Sequence, residues 1–269
     1  MKSMAASIGF ALCCGAIAHG QQDATKEQSE KRLNYMRGAI EALDVKPIDP
    51  NSPLATNFNK DPILRFGDLA RATFDGGIWK FGNGRPQAIV ALELVRIDGE
   101  MCLSYEFLCL TGERFRLKTR DRQMWTPEET TFRFQNIDDS RRPHKSPIVR
   151  RRQMKKLASR FSASERIGDG TVYKLRLMPQ PIDEYVVDDN EDGRQGAIFT
   201  LAHGTNPEIL LFIEPADESW QFGLARLSAA ATTVKFDDRV VWTKKSISSL
   251  GNSWKSDYLC HSHVSELAE

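Results

Sequence analysis

Apolar residues near the start of the chain recur at helical spacing. Leu33, Met36, Ile40 and Leu43 lie three or four positions apart in TKEQSEKRLNYMRGAIEALDV, which predicts one amphipathic helix with a narrow buried stripe. Thr25 and Gln28 form a capping-box pair at its expected start. The next stretch, KPIDPNSPLATNFNKDP, has three prolines before Pro62 and reads as an extended connector. From Arg71 the spacing changes to short β-type runs. GIWKF stops at a turn through Asn83 and Gly84, AIVALELV returns, and LSYEFLCL, FRLK, QMWT and TTFRFQ continue what reads as an antiparallel meander. A second helix is expected from Pro147 to Ser162, docked through Met154, Leu157, Ala158 and Phe161 with its basic side in water. TVYKLRLM then alternates as a strand covered on one side would, and DDNEDG forms an acidic turn.

Two stretches share a design. GGIWKFGNGRPQAIVALE, from Gly76 to Glu93, overlies GAIFTLAHGTNPEILLFIE, from Gly196 to Glu214: Gly76 matches Gly196, Ile78 Ile198, Trp79 Phe199, Gly84 Gly204 and Pro86 Pro207. The match continues through LSYEFLCLT on WQFGLARLS and KTRDRQMWT on KFDDRVVWT, so that Trp125 meets Trp242. The expected fold is therefore mainly β (α+β). Two duplicated antiparallel meanders pack as a pseudo-twofold sandwich or half-open barrel, with an N-terminal and a connecting helix. AIVALEL and EILLFIE are apolar at odd and even positions alike, so each should be a central strand between the opposite sheet and a covering helix. Glu93 and Glu214 close these runs and must either reach solvent or be paired inside. The corresponding division is a signal peptide over 1–20, helix and connector over 21–66, a first repeat over 67–140, basic helix, strand and acidic loop over 141–195, a second repeat over 196–250 and a tail over 251–269.

Composition adds a compartment. Lys2 followed by an apolar run from Met4 to Ala18 and small residues in AIAHGQQ reads as a leader cleaved after Ala18 or Gly20; a lipid anchor on Cys13 or Cys14 is the alternative, without the usual flanking residues. Later apolar runs are too short and too interrupted to span a bilayer. The mature chain is thus expected to be exported, periplasmic or secreted, with no transmembrane segment. A net charge of +1 gives no reason to expect nucleic acid or an anionic membrane as partner; an envelope component is the partner left open. Cys102, Cys109 and Cys260 remain after the leader. The first two lie seven positions apart, so on one strand they face opposite sides and cannot bridge.

Candidate chemistry is sparse. His203 and Glu208 in HGTNPE are the first place to look for an acid–base pair, although Asn83 stands opposite His203 in the overlay. Gly-x-Ser-x-Gly, His-Glu-x-x-His, phosphate-loop and Cys-x-x-Cys motifs do not occur. Asp188, Asn190, Asp192 and Gly193 occupy positions one, three, five and six of a Ca²⁺ loop, but position twelve is Phe199. Asp257, Cys260, His261 and His263 gather metal-ligating groups in what reads as a mobile tail. Nine Lys or Arg between Arg141 and Arg160 suit either a solvated face or an anionic partner such as phosphate-bearing lipid or polysaccharide. The function expected is a non-catalytic binding or envelope-interaction module. The alternatives are an envelope-directed hydrolase with a dispersed carboxylate site, or a carrier of an apolar ligand in a β barrel.

The helix RQMKKLA, the strand RLMPQPI and GAIFTLAHGTNPEILLFIE, in that order, resemble a family of exported proteins from planctomycete bacteria without an assigned activity. The resemblance covers most of residues 60–245, with a more highly charged basic helix here. It implies export and a shared fold and carries over no catalytic or binding residue.

Overall fold

The structure, a computed structural model, describes residues 13–54, 56–82, 84–138, 140–168, 170–187, 194–247 and 253–267, without the side chains of 13–24 and 70. Helix α1 (Cys13–Glu41) buries Leu33, Met36, Ala39 and Ile40, the stripe its spacing predicts. Thr25 does not start it, because the backbone is already helical from Cys13. After the last turn comes a short strand, β1 (Asp44–Pro47), in place of irregular connector; it pairs with β6 (Phe115–Lys118), which pairs with β7 (Met124–Trp125). The main sheet of this half begins earlier than Arg71. It runs β2 (Leu64–Asp68), β3 (Thr73–Phe81), β4 (Ala88–Ile97) and β5 (Glu100–Cys109), each antiparallel to the next.

The second half follows with α2 (Pro147–Ala158), β9 (Phe161–Arg166), β10 (Val172–Leu177), β11 (Asp183–Val186), β12 (Gln195–His203), β13 (Asn206–Ala216), β14 (Ser219–Arg226), β15 (Ala231–Phe236) and β16 (Arg239–Lys244). α2 stops at Ala158 and does not reach Ser162. The Arg160 N–H turns back to the Leu157 carbonyl at 3.0 Å, and Phe161, Ala163 and Glu165 alternate inward as strand residues. Strand β10 joins β9 to β12, so the second half forms one continuous sheet that curls around α2 as a half-barrel.

The pairings of the first half recur in the second. β9·β15, β11·β12, β12·β13, β13·β14 and β15·β16 stand where β1·β6, β2·β3, β3·β4, β4·β5 and β6·β7 stand. Trp125 lies opposite Leu117, and Trp242 opposite Val234, the residues the overlay pairs. The glycines that punctuate both stretches have one local cause. Phe66 of β2 lies across Gly76 and Tyr185 of β11 across Gly196, so close that a Cβ would stand 2.6 and 2.5 Å from the rings.

Both faces of the central hairpins are buried, which makes four layers: helix, sheet, sheet, helix. In β4, Ala88, Val90, Leu92 and Leu94 belong to the α1-side core, while Ile89 and Ala91 face the second sheet. In β13, Ile209, Leu211 and Ile213 belong to the α2-side core, and Leu210 and Phe212 face the first sheet.

The outer edges of β5 and β14 are covered by exchange. TTFRFQ does not continue the first meander: β8 (Phe134–Ile137) crosses over to pair with β14. The C-terminal segment is likewise no mobile tail, for β17 (Tyr258–Val264) returns to pair with β5 along its whole length. An uncovered edge would leave a row of N–H and C=O groups open to another chain. Each half closes the other's edge, and the connecting segments touch where the Thr131 N–H donates to Asp257 Oδ2 at 2.7 Å.

Gly76→Ala and Gly196→Ala should each destabilise the protein by about 1–3 kcal/mol, because the ring above must leave its position. Urea unfolding checks this, with a lower midpoint expected at unchanged slope.

Candidate functional site

Charged side chains are concentrated at the seam between the halves, and hairpin tips deliver several of them across it. Arg85, in the β3–β4 turn, reaches Glu214 of β13, its Nε donating at 3.0 Å. Glu214 is fully buried and also accepts from the Tyr185 hydroxyl at 2.8 Å and the Gln221 amide at 2.6 Å. In the opposite direction Asn206, at the β12–β13 turn, approaches Glu93 and favours its charged form, and Glu93 accepts from Thr73 Oγ1 at 3.0 Å. Both strand-end carboxylates are therefore paired inside. Lys80 of β3 donates to Asp183 of β11 at 2.5 Å.

Arg71 forms the centre of the seam. It sits in the one-turn 3-10 segment Leu69–Arg71 between β2 and β3, bonds Glu208 and lies 4.0 Å from Glu165. Burial pushes the Glu208 carboxyl up to about 8 against the pull of Arg71, with the Glu165 charge adding to the rise. Burial also lifts Glu93, and it lifts Glu106 up to about 8, helped by the neighbouring Glu93 charge. Arg226 is held below its ordinary range by burial and donates to three carbonyls, those of Ser228, Lys245 and Ala230.

His203 and Glu208, paired in sequence, do not bond each other. His203 Nδ1 lies 2.6 Å from Glu165 Oε1, with the Tyr173 ring 4.5 Å from its own; Glu208 takes Arg71. Glu165 Oε2 is buried without a hydrogen-bond partner. The cavity of about 300 Å³ that reaches Glu165 is otherwise lined by Ser164, Arg166, Thr232 and the Thr243–Lys245 edge, and by none of His203, Glu208 or Arg71. Spacing along the chain could not reveal this set, because Arg71, Glu165 and Glu208 come from three segments far apart in sequence.

The proposed Ca²⁺ residues Asp188, Asn190 and Asp192 lie outside the described residues. Of the C-terminal group, Asp257 is taken by Thr131 and Cys260 turns to the seam face beside Ser104 at 3.9 Å. Burial pushes the Cys260 thiol up to about 12. His261 and His263 face the other way and meet Asp121 of the β6–β7 turn. Cys102, Cys109 and Cys260 form no disulfide. On the outer side, Arg141, Lys156, Arg160, Leu157 and Trp220 line a cavity of about 220 Å³ beside α2.

No protein-family model, curated protein or solved structure matches the chain.

Arg85→Met should cost about 2–3 kcal/mol. A fully buried pair broken on one side costs ~3–5 kcal/mol, and the 40% exposure of the Arg85 side chain lets water take up part of that charge. Chemical denaturation measures the loss. A pH dependence also follows from Glu106 and Glu208, whose carboxyls move from an ordinary 4.5 up to about 8 on folding. The folded state binds more protons than the unfolded one between those values, so stability should fall as pH rises through that window. Thermal melts from pH 5 to about 8.5 should show this decline, and Glu106→Gln should flatten it.

Proposed function

We propose that the protein is an exported, non-catalytic interaction module that presents the basic face of α2 to phosphate-bearing lipid of the cell envelope. The observation that carries this reading is a set of cations without acidic partners. Arg142 pairs with Glu218, Arg151 with Glu184 and Arg160 with Asp237. Arg141, Lys145, Arg152 and Lys156 have no acidic partner among the described residues. Arg152 and Lys156 follow Ile148, an apolar side chain 67% exposed, at four-residue intervals along one face of α2. Cations around an exposed apolar residue suit the headgroup boundary of an anionic membrane. No helix among the described residues is long and apolar enough to cross one.

Asp183, Glu208 and Glu214 are each committed to a cation of the other half, which supports a module over an enzyme. The pair Glu165–His203, with its free carboxylate oxygen, is the one arrangement that favours acid–base chemistry, but its cavity receives Glu165 alone of the set. The described cavities of about 60, 220, 300 and 320 Å³ each have charged residues in their linings, which gives little support to a lipid carrier. Export rests on the leader character of 1–20 and on the family resemblance. Descent of the halves from one duplicated unit is supported by the recurring pairings and by the aromatic-over-glycine contacts at Gly76 and Gly196.

Co-sedimentation with vesicles tests the reading. Binding to phosphatidylglycerol over phosphatidylcholine is expected at low salt and should weaken as salt rises. Each cation near an anionic surface contributes about 1 kcal/mol, so Arg141→Glu, Arg152→Glu and Lys156→Glu together should weaken binding by roughly a hundredfold or more. Equal binding to both lipids, or binding untouched by the triple variant, would overturn it.

A further inference from the structure

We propose that Asp121, His261 and His263 form a binding site for a divalent transition-metal ion, with zinc the best match to its ligands. One ligand atom from each residue lies within 4.8 Å of the others. His261 Nε2 and Asp121 Oδ2 are 2.9 Å apart. Zinc bonded to nitrogen and oxygen at ~2.0–2.2 Å holds tetrahedral ligands roughly 3.3–3.5 Å from one another, so closing separations of up to 4.8 Å takes shifts of about 1–1.5 Å. Two imidazoles with one carboxylate select a transition metal over Ca²⁺ or Mg²⁺.

Each ligand is positioned by something other than the ion. His261 and His263 alternate on β17, opposite Tyr105 and Leu103 of β5, and therefore project from the same face. Tyr105 stacks on the His263 ring at 5.7 Å, and Trp254 lies 5.1 Å from that of His261. Asp121 is held in its turn by Thr119, whose hydroxyl donates to Oδ1 and leaves Oδ2 for the imidazole. The turn is itself closed by the Thr119 N–H donating to the Gln123 carbonyl at 2.9 Å and by left-handed Arg122 at φ 66°. The Thr119 hydroxyl thus orients the ligating carboxylate, as outer hydrogen bonds do in metal sites.

Two observations set the cluster apart from an ordinary His–Asp hydrogen bond. Nδ1 of His263 is buried with no hydrogen-bond partner, and a buried polar atom left unpaired is costly. The corresponding register of the other sheet also lacks the imidazoles: Gln135 and Ile137 of β8 lie opposite Phe222 and Trp220 of β14, where His261 and His263 lie opposite Tyr105 and Leu103. The turn aspartate recurs there as Asp238. The exchanged-strand architecture thus does not itself require histidines. With three protein ligands the remaining coordination position is open to solvent, as the partial exposure of Asp121 and His261 allows. A bound ion would fasten β17, the strand that closes the first sheet, to the β6–β7 turn.

Calorimetric titration of the full chain, dialysed against EDTA and then freed of chelator, with ZnCl₂ should show one equivalent bound with micromolar or tighter affinity. His261→Gln with His263→Gln should weaken this at least about tenfold, whereas His144→Gln, outside the cluster, should leave it unchanged. Co²⁺ should give visible absorption of a four- or five-coordinate nitrogen and oxygen site. That spectrum on the unaltered chain decides the matter if the double variant fails to fold. Zinc binding unchanged in the folded double variant, affinity weaker than about 1 mM, or a thiolate charge-transfer band marking Cys260 would each overturn the assignment.

Discussion

The structure depends on the burial of both faces of two β-hairpins. β3 with β4, and β12 with β13, carry apolar side chains in both directions, and neither hairpin has a face that water can cover without loss. Burying a large apolar side chain is worth about 1.5–3 kcal/mol, and each hairpin presents several on either side. A helix covers one face and the other hairpin covers the second. That single requirement produces the four-layer order and gives the narrow stripe of α1 and the short apolar face of α2 their partners.

Packing two sheets through apolar faces leaves their ends to be reconciled, and there the charges collect. Arg85 and Asn206 sit at the tips of equivalent hairpins and each reaches toward a carboxylate at the end of the other half's central strand. Chemically the two contacts differ, an ion pair in one direction and a neutral amide in the other, although the placement repeats. A buried ion pair is weak support for stability, since desolvation offsets much of its Coulomb gain. The plainer consequence is register: a sheet displaced by one residue would leave Glu93, Glu208 and Glu214 buried without these partners. The seam polar groups thus select one way of joining halves whose apolar faces alone would tolerate others.

Strand exchange makes the halves interdependent. β8 and β17 are each contributed by one half to the edge of the other, so neither sheet is closed without both. This brings residues far apart in sequence into contact. Asp121 meets His261 across an interval of 140 residues, and Thr131 meets Asp257 across 126. Where the halves differ in sequence, local chemistry differs too. Glu106 is capped by the Tyr258 hydroxyl in the first sheet, whereas Gly223 lies beneath the Phe132 ring in the second.

Much of the architecture was legible in the order of residues, because periodicity and turn formers act locally. The Leu33–Ile40 stripe announced a helix, the unbroken apolar runs announced doubly covered strands, and the matching glycines announced equivalent hairpins. Boundaries were less legible: Phe161 fits a helical face as well as a strand and joined β9 because Phe236 of β15 was there to pair with it. The destination of β8 and β17 could not be read at all, since an edge strand's partner is set by whichever sheet leaves its N–H and C=O groups open. For the same reason the sequence named His203, Glu208, His261 and His263 but could not give them their neighbours Glu165, Arg71 and Asp121. Local spacing determines which side of an element a residue occupies, and only the assembled sheets decide what stands across from it.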